Sequence, residues 1–158
     1  MDARVNLDRF VFDDARYERL AAELADSYAK ADPFPHIVID DFLPTDIAEA
    51  VFHEFPRPGD IDWHNYKREP EMKLVCAEEQ LFGTLTRRLF HQFNSAPFLG
   101  FLEKLTGINN LIPDPALRGG GLHQIRRGGL LKLHADFNKH DATFLDRRVN
   151  VLLYMNKD

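Results

Sequence analysis

GGGLHQIRRGGLLKLHADFN, residues 119 to 138, decides how the chain is read. It holds two short β-prone runs, GLHQIR and LLKLHADFN, parted by the break RGG. A third run, RRVNVLLYMN (147–156), follows the polar stretch KHDATFLD. Short strands separated by glycine or polar turns are the pattern of an antiparallel barrel or jelly roll. Side chains alternate across a strand, so His134 and Asp136 are expected on one face. In the third run Asn150, Leu152 and Tyr154 share one face, and Val149, Val151 and Leu153 the other. The glycines 119 to 121 precede no helix and are not a phosphate-cradling loop; their expected role is conformational freedom.

The chain before this tract reads as helical. Residues 13–30 place Tyr17, Leu20, Leu24 and Tyr28 at helical spacing. Pro33 and Pro35 stop that helix, and HIVID (36–40) reads as a short strand with a turn at Asp40 and Asp41. TDIAEAVFHEF (45–55) is a second helix carrying Ile47, Val51 and Phe55. The polar stretch 56–76, with three prolines, is expected to be a long loop, and its charge mixture KREPEMK (67–73) to be solvated. Residues 78–94 form a third helix, with Leu81, Leu85, Leu89 and Phe93 on one stripe. Ser95 is placed to cap a fourth, APFLGFLEKLT, which Gly107 ends. The fold class is therefore α+β, helices first and then a barrel-like sheet, in a single domain over 1–158: mainly helical support in 1–110, the first part of a jelly-roll core in 119–158.

Composition narrows the classes of function. The 158 residues are 44% apolar, and thirteen Phe against one Trp point to aromatic packing in the core. A net charge of −5 without a basic patch argues against nucleic acid. Cys76 is the single cysteine, so no internal disulfide can form, which suits a reducing cytoplasm. MDARVNLDRF lacks the apolar stretch of a signal peptide, and no run approaches the ~20 apolar residues of a membrane span. The expectation is a cytoplasmic protein without membrane or nucleic-acid partners.

An imidazole and a carboxylate on one strand face supply two ligands of a 2-His-1-carboxylate triad, which suits Fe(II) because it leaves coordination positions open. On spacing alone the plainer account, a surface His and an Asp at a strand end, is preferred. The surrounding tract changes that weighing. From Gly128 and Gly129 through His134 and Asp136 to Arg148…Tyr154-Met155-Asn156, the chain resembles the iron- and 2-oxoglutarate-dependent oxygenases of prolyl 4-hydroxylase type. That family has a glycine turn, a strand ending in H-x-D, a loop, and a strand close to R-x-x-x-x-x-x-Y-L-N; here methionine stands for the leucine. PFPHIVIDDFLP (33–44) also looks like bacterial members.

The resemblance implies a jelly-roll (double-stranded β-helix) core. It makes His134 and Asp136 iron ligands and Tyr154 a residue hydrogen-bonding the 2-oxoglutarate carboxylate, with Gln124 a further candidate to face that pocket. The cofactors implied are Fe(2+) and 2-oxoglutarate as co-substrate, with L-ascorbate a candidate beside them. The implied activity is hydroxylation of a C–H bond in a prolyl residue, an amino acid or a small metabolite, releasing succinate and CO2. Halogenating relatives lack the carboxylate ligand, so Asp136 favours hydroxylation.

Two parts of the family pattern are missing: the distal His, and the Arg or Lys that pairs with 2-oxoglutarate. His140, six residues past His134, is expected to face solvent, and His123 has the opposite parity to Gln124. His36, His53, His64 and His91 lie in the helical half. A jelly roll needs about eight strands, and roughly half that number follow Gly121, so the expectation is an N-terminal piece of an oxygenase. The rival reading is a non-catalytic jelly-roll binding module that has lost the complete iron site; a zinc enzyme of cupin type would need more grouped histidines. Arg126, Arg127, Arg147 and Arg148 are expected to be solvated turn charges, and Cys76 to be structural.

Overall fold

The computed structural model describes residues 9–68 and 71–156; most of the amino-terminal stretch and Glu69-Pro70 of the charged mixture lie outside them. The elements run α1 (Ala15–Ala29), α2 (Thr45–Glu54), β1 (His64–Arg68), β2 (Glu71–Cys76), α3 (Thr84–Phe93), α4 (Ala96–Thr106), β3 (Leu122–Gln124) and β4 (Leu130–Leu131). This mixture of helices and antiparallel sheet is α+β. The chain divides into two compact units, one of Met1–Glu54, Thr84–Pro115 and Met155–Asp158, the other of Phe55–Gly83 and Ala116–Tyr154.

The helical unit is organised by aromatic rings. Asp14 caps α1, its carboxylate accepting from the Arg16 amide at 2.8 Å, and the helix buries Tyr17 and Ala21. Phe12 stands 4.7 Å from Phe98 and 5.1 Å from Tyr17 between ring centroids, and Phe42, Phe93 and Phe101 extend the cluster. Such pairs add to the apolar area already removed from water. The Tyr17 hydroxyl, otherwise stranded in this cluster, donates to the Phe42 carbonyl at 2.9 Å. Its burial pushes the phenol's pKa above the ordinary 10.0, outweighing the opposing influence of Arg16 and Arg9.

Three expectations about the helices and their flanking segments need correction. The helix foreseen over 78–94 is broken: a 3-10 turn occupies Glu79–Leu81, Phe82 is extended and buried, and α3 starts at Thr84. Gly83 disfavours helix, and the new start has its own cap from α2. The Glu54 carboxylate accepts from the Leu85 amide (3.1 Å), the Thr86 amide (2.8 Å) and the Thr86 hydroxyl (2.9 Å). An anion thus meets the orphan donors of a helix's first turn. HIVID pairs with no strand among the described residues, although Val38 is exposed and Ile37 and Ile39 half-buried, as strand alternation would have it. Ser95 stands where a cap belongs, but its hydroxyl donates backwards to the Gln92 carbonyl. Gly107 ends α4 as expected, in the left-handed region at φ 71°.

In the second unit the expected loop at 56–76 contains a hairpin. β1 pairs antiparallel with β2 from His64 opposite Val75 to Lys67 opposite Met72. Charged side chains on the solvated face hid the alternation that buries Leu74 and Cys76. β3 pairs with β2 through Cys76–Leu122 and Leu74–Gln124, and β4 follows through Met72–Leu130 and Glu71–Leu131. β3 and β4 therefore divide one edge of β2 between them, with residues 125–129 looped out opposite Lys73. Gly121 enters β3 at φ +99°, where an added Cβ would fall on the Cys76 carbonyl, so only glycine fits.

Candidate metal site

The tract expected to be a strand over 130–138 is one only at Leu130 and Leu131. Leu131 already pairs with Glu71, the first residue of β2, so the ladder runs out of partner there. His134 and Asp136 consequently lie beyond the sheet, and strand alternation is not what brings them together. They converge all the same: His134 Nε2 stands 3.5 Å from Asp136 Oδ1.

A local fold-back builds this geometry. Lys139 bridges Asp146 antiparallel, and the Arg147 amide donates to the Asn138 carbonyl at 2.8 Å. Between them His140 shapes the loop. Its Nδ1 accepts from the Ala142 and Thr143 amides at 3.1 and 3.2 Å, and the ring is largely covered rather than solvated as expected. The returning limb of this loop delivers Arg147 and Asn150 to Asp136. Asn150 Nδ2 donates to Asp136 Oδ2 at 3.3 Å, Arg147 Nη2 lies 3.3 Å from the same oxygen, and Arg147 also donates to Asn150 Oδ1 at 3.0 Å.

The protons follow from the partners. His134 Nδ1 lies 2.7 Å from the Lys132 carbonyl, an oxygen that only accepts, so Nδ1 carries hydrogen. In the neutral ring Nε2 then presents a lone pair towards the carboxylate oxygen Oδ1. A proton or a cation placed between the two would join them. A ring nitrogen fixed on a carbonyl is one half of the arrangement common to metal-bound histidines, in which the other nitrogen meets the ion. Two donors at right angles on an octahedral hard cation stand about 3.0 Å apart, so the pair needs to close by only about half an ångström. Both side chains are part-exposed, at 32% and 45%, and an ion can reach them.

The other candidates are less gathered. Among the described residues no group of three His, Cys, Asp or Glu is arranged to hold a metal, so the pair has no third protein ligand there. Tyr154 is 79% exposed, and the expected strand 147–156 has no ladder partner among the described residues. Gln124 sits half-buried on β3, and its Oε1 is buried without a hydrogen-bond partner among the described residues. That is a demand for a donor, such as water or a ligand. His123 is exposed, as its parity requires, and Cys76 is buried. Arg147 and Asn150 escaped the sequence reading as participants. The signal was available: Asn150 is a polar residue inside the apolar run VNVLLY, and a position of that kind asks for a partner.

No helix among the described residues is long and apolar enough to cross a membrane. No protein-family model, curated protein or solved structure matches the chain.

Proposed function

We propose that this chain carries part of the iron site of a 2-oxoglutarate-dependent oxygenase of prolyl 4-hydroxylase type, with His134 and Asp136 as two of three ligands. The carrying observation is the 3.5 Å approach of Nε2 to Oδ1, with Nδ1 of the same ring fixed on a carbonyl. When bound, ferrous iron and 2-oxoglutarate supply the oxidation, in which dioxygen is consumed, 2-oxoglutarate becomes succinate and CO2, and a C–H bond is hydroxylated. The chain's own residues orient the ligands. The Lys132 carbonyl fixes the His134 tautomer, with Nε2 on the side of Asp136.

In this reading Gln124 and Tyr154 belong to the co-substrate side, which the buried, unpartnered Gln124 Oε1 supports. The jelly roll is the finer form of the α+β fold proposed here. Val151, Leu152 and Leu153 are apolar and exposed, the character of a strand open to further pairing. A second reading, a binding module with an incomplete iron site, is favoured by the lack of a third ligand among the described residues.

Anaerobic titration with Fe(II), with and without 2-oxoglutarate, separates the two. The oxygenase reading expects binding that His134→Ala and Asp136→Ala each remove, and 2-oxoglutarate-dependent charge-transfer absorption. Binding indifferent to both substitutions would leave the module reading standing.

A further inference from the structure

We infer that Arg147 and Asn150 are positioning residues of the metal site, acting through Asp136. The inference rests on the ligand assignment just proposed and assigns a role to two residues that the H-x-D pattern does not contain.

A carboxylate has two oxygens, and a free one can turn either towards an ion or swing away. Here Asp136 Oδ2 is engaged twice, by Asn150 Nδ2 and by the Arg147 guanidinium, each at 3.3 Å. The third side of this triangle, Arg147 to Asn150 at 3.0 Å, ties the two donors together. With Oδ2 committed, Oδ1 is left on the side of His134 Nε2. The guanidinium is itself supported: its carbon lies 4.6 Å from the centroid of the Phe137 ring. That ring in turn lies against Gly119, where an added Cβ would come within 2.9 Å of Phe137 Cε1 and where φ is +70°. The glycine ahead of β3 thus leaves room for the platform that carries the arginine. Arg147 is the better covered partner of the ion pair, 22% exposed against 45% for Asp136. This is an arrangement for holding a carboxylate in one orientation, whereas solvated turn charges would be left loose.

The sign of the effect distinguishes positioning from bulk electrostatics. Arg147 is a cation next to a proposed cation site. If it acted only through its charge, its removal would tighten metal binding. If it positions Asp136, removal weakens binding, and loss of an outer-sphere partner typically costs 10–100-fold in metal affinity. Arg147→Lys keeps the charge but cannot present a planar fork to Asp136 and Asn150 together.

The test is a titration of the full chain with Mn(II), followed by the electron paramagnetic resonance of the free ion, with far-ultraviolet circular dichroism on each variant. Expected are weakening of about tenfold or more for Arg147→Ala, a smaller weakening for Arg147→Lys, and weakening for Asn150→Ala with unchanged dichroism. Arg147→Ala binding as tightly as the parent, or tighter, overturns the inference. If that variant does not fold, Asn150→Ala decides in the same way. Failure of the underlying ligand assignment looks different: the parent chain then binds no Mn(II), or binds it equally well as His134→Ala.

Discussion

The two compact units treat their apolar residues in opposite ways. Of the seventeen apolar residues that are buried among the described residues, thirteen belong to the helical unit. Of the sixteen large apolar residues that are exposed, twelve belong to the unit that holds the sheet and the candidate site. The first unit closes its own core with Phe12, Tyr17, Phe98 and Phe101, whereas the second buries Leu74, Cys76, Phe82 and Leu122 and leaves Leu133, Phe144, Leu152 and Tyr154 in water. Stability is thus concentrated in one unit and the candidate chemistry in the other. Ligand-binding segments are commonly drawn from the low-stability end of a structure.

Substitutions that cut into the helical unit should therefore cost most. Phe98, 2% exposed and in ring contact with Phe12, Phe93 and Phe101, is the centre of the cluster. Phe98→Ala should lower unfolding stability by about 3–5 kcal/mol in urea titrations. Next in size is Glu54→Ala, which removes the acceptor of two amides and a hydroxyl at the start of α3. It should cost about 1–3 kcal/mol and show first as lost hydrogen-exchange protection in α3.

Tyr17→Phe should cost about 1 kcal/mol at neutral pH, through the lost bond to the Phe42 carbonyl. Its pH dependence sharpens the comparison further. Because the folded phenol titrates above 10.0, its contribution is fully present below that value and is lost as pH rises through the folded value. The parent protein should lose stability at alkaline pH more steeply than the variant, which thermal melts across that range would reveal. The smallest effect belongs to the other unit. Leu152→Ser removes a side chain that is 66% exposed and should shift stability by less than about 0.5 kcal/mol in urea titrations.

The same division governs how much could be read from sequence. Helices α1, α2 and α4 were legible because apolar residues such as Tyr17, Leu20, Ile47 and Val51 recur at helical spacing and local signals, Pro33 and Gly107 among them, stop the chain from continuing as helix. The break before α3 was not, because its cap comes from Glu54, thirty-two residues before Thr86. The β1–β2 hairpin hid behind Lys67 and Lys73, since one face of it is solvated. His134 and Asp136 were singled out by the resemblance, with a shared strand face as the expected geometry; the strand ends at Leu131, and the fold-back between Lys139 and Asp146 surrounds the pair instead. Arg147 looked like a turn charge because its partner lies eleven residues earlier, a contact that no short-range pattern encodes.

The account turns on whether a divalent ion settles between His134 and Asp136. Amide-resolved nuclear magnetic resonance of the full chain during a Mn(II) titration tests this directly. Selective broadening centred on residues 132–138, joined by 147–150 and abolished in His134→Ala, is the predicted result. Broadening centred elsewhere, or spread evenly over the surface carboxylates, would contradict it.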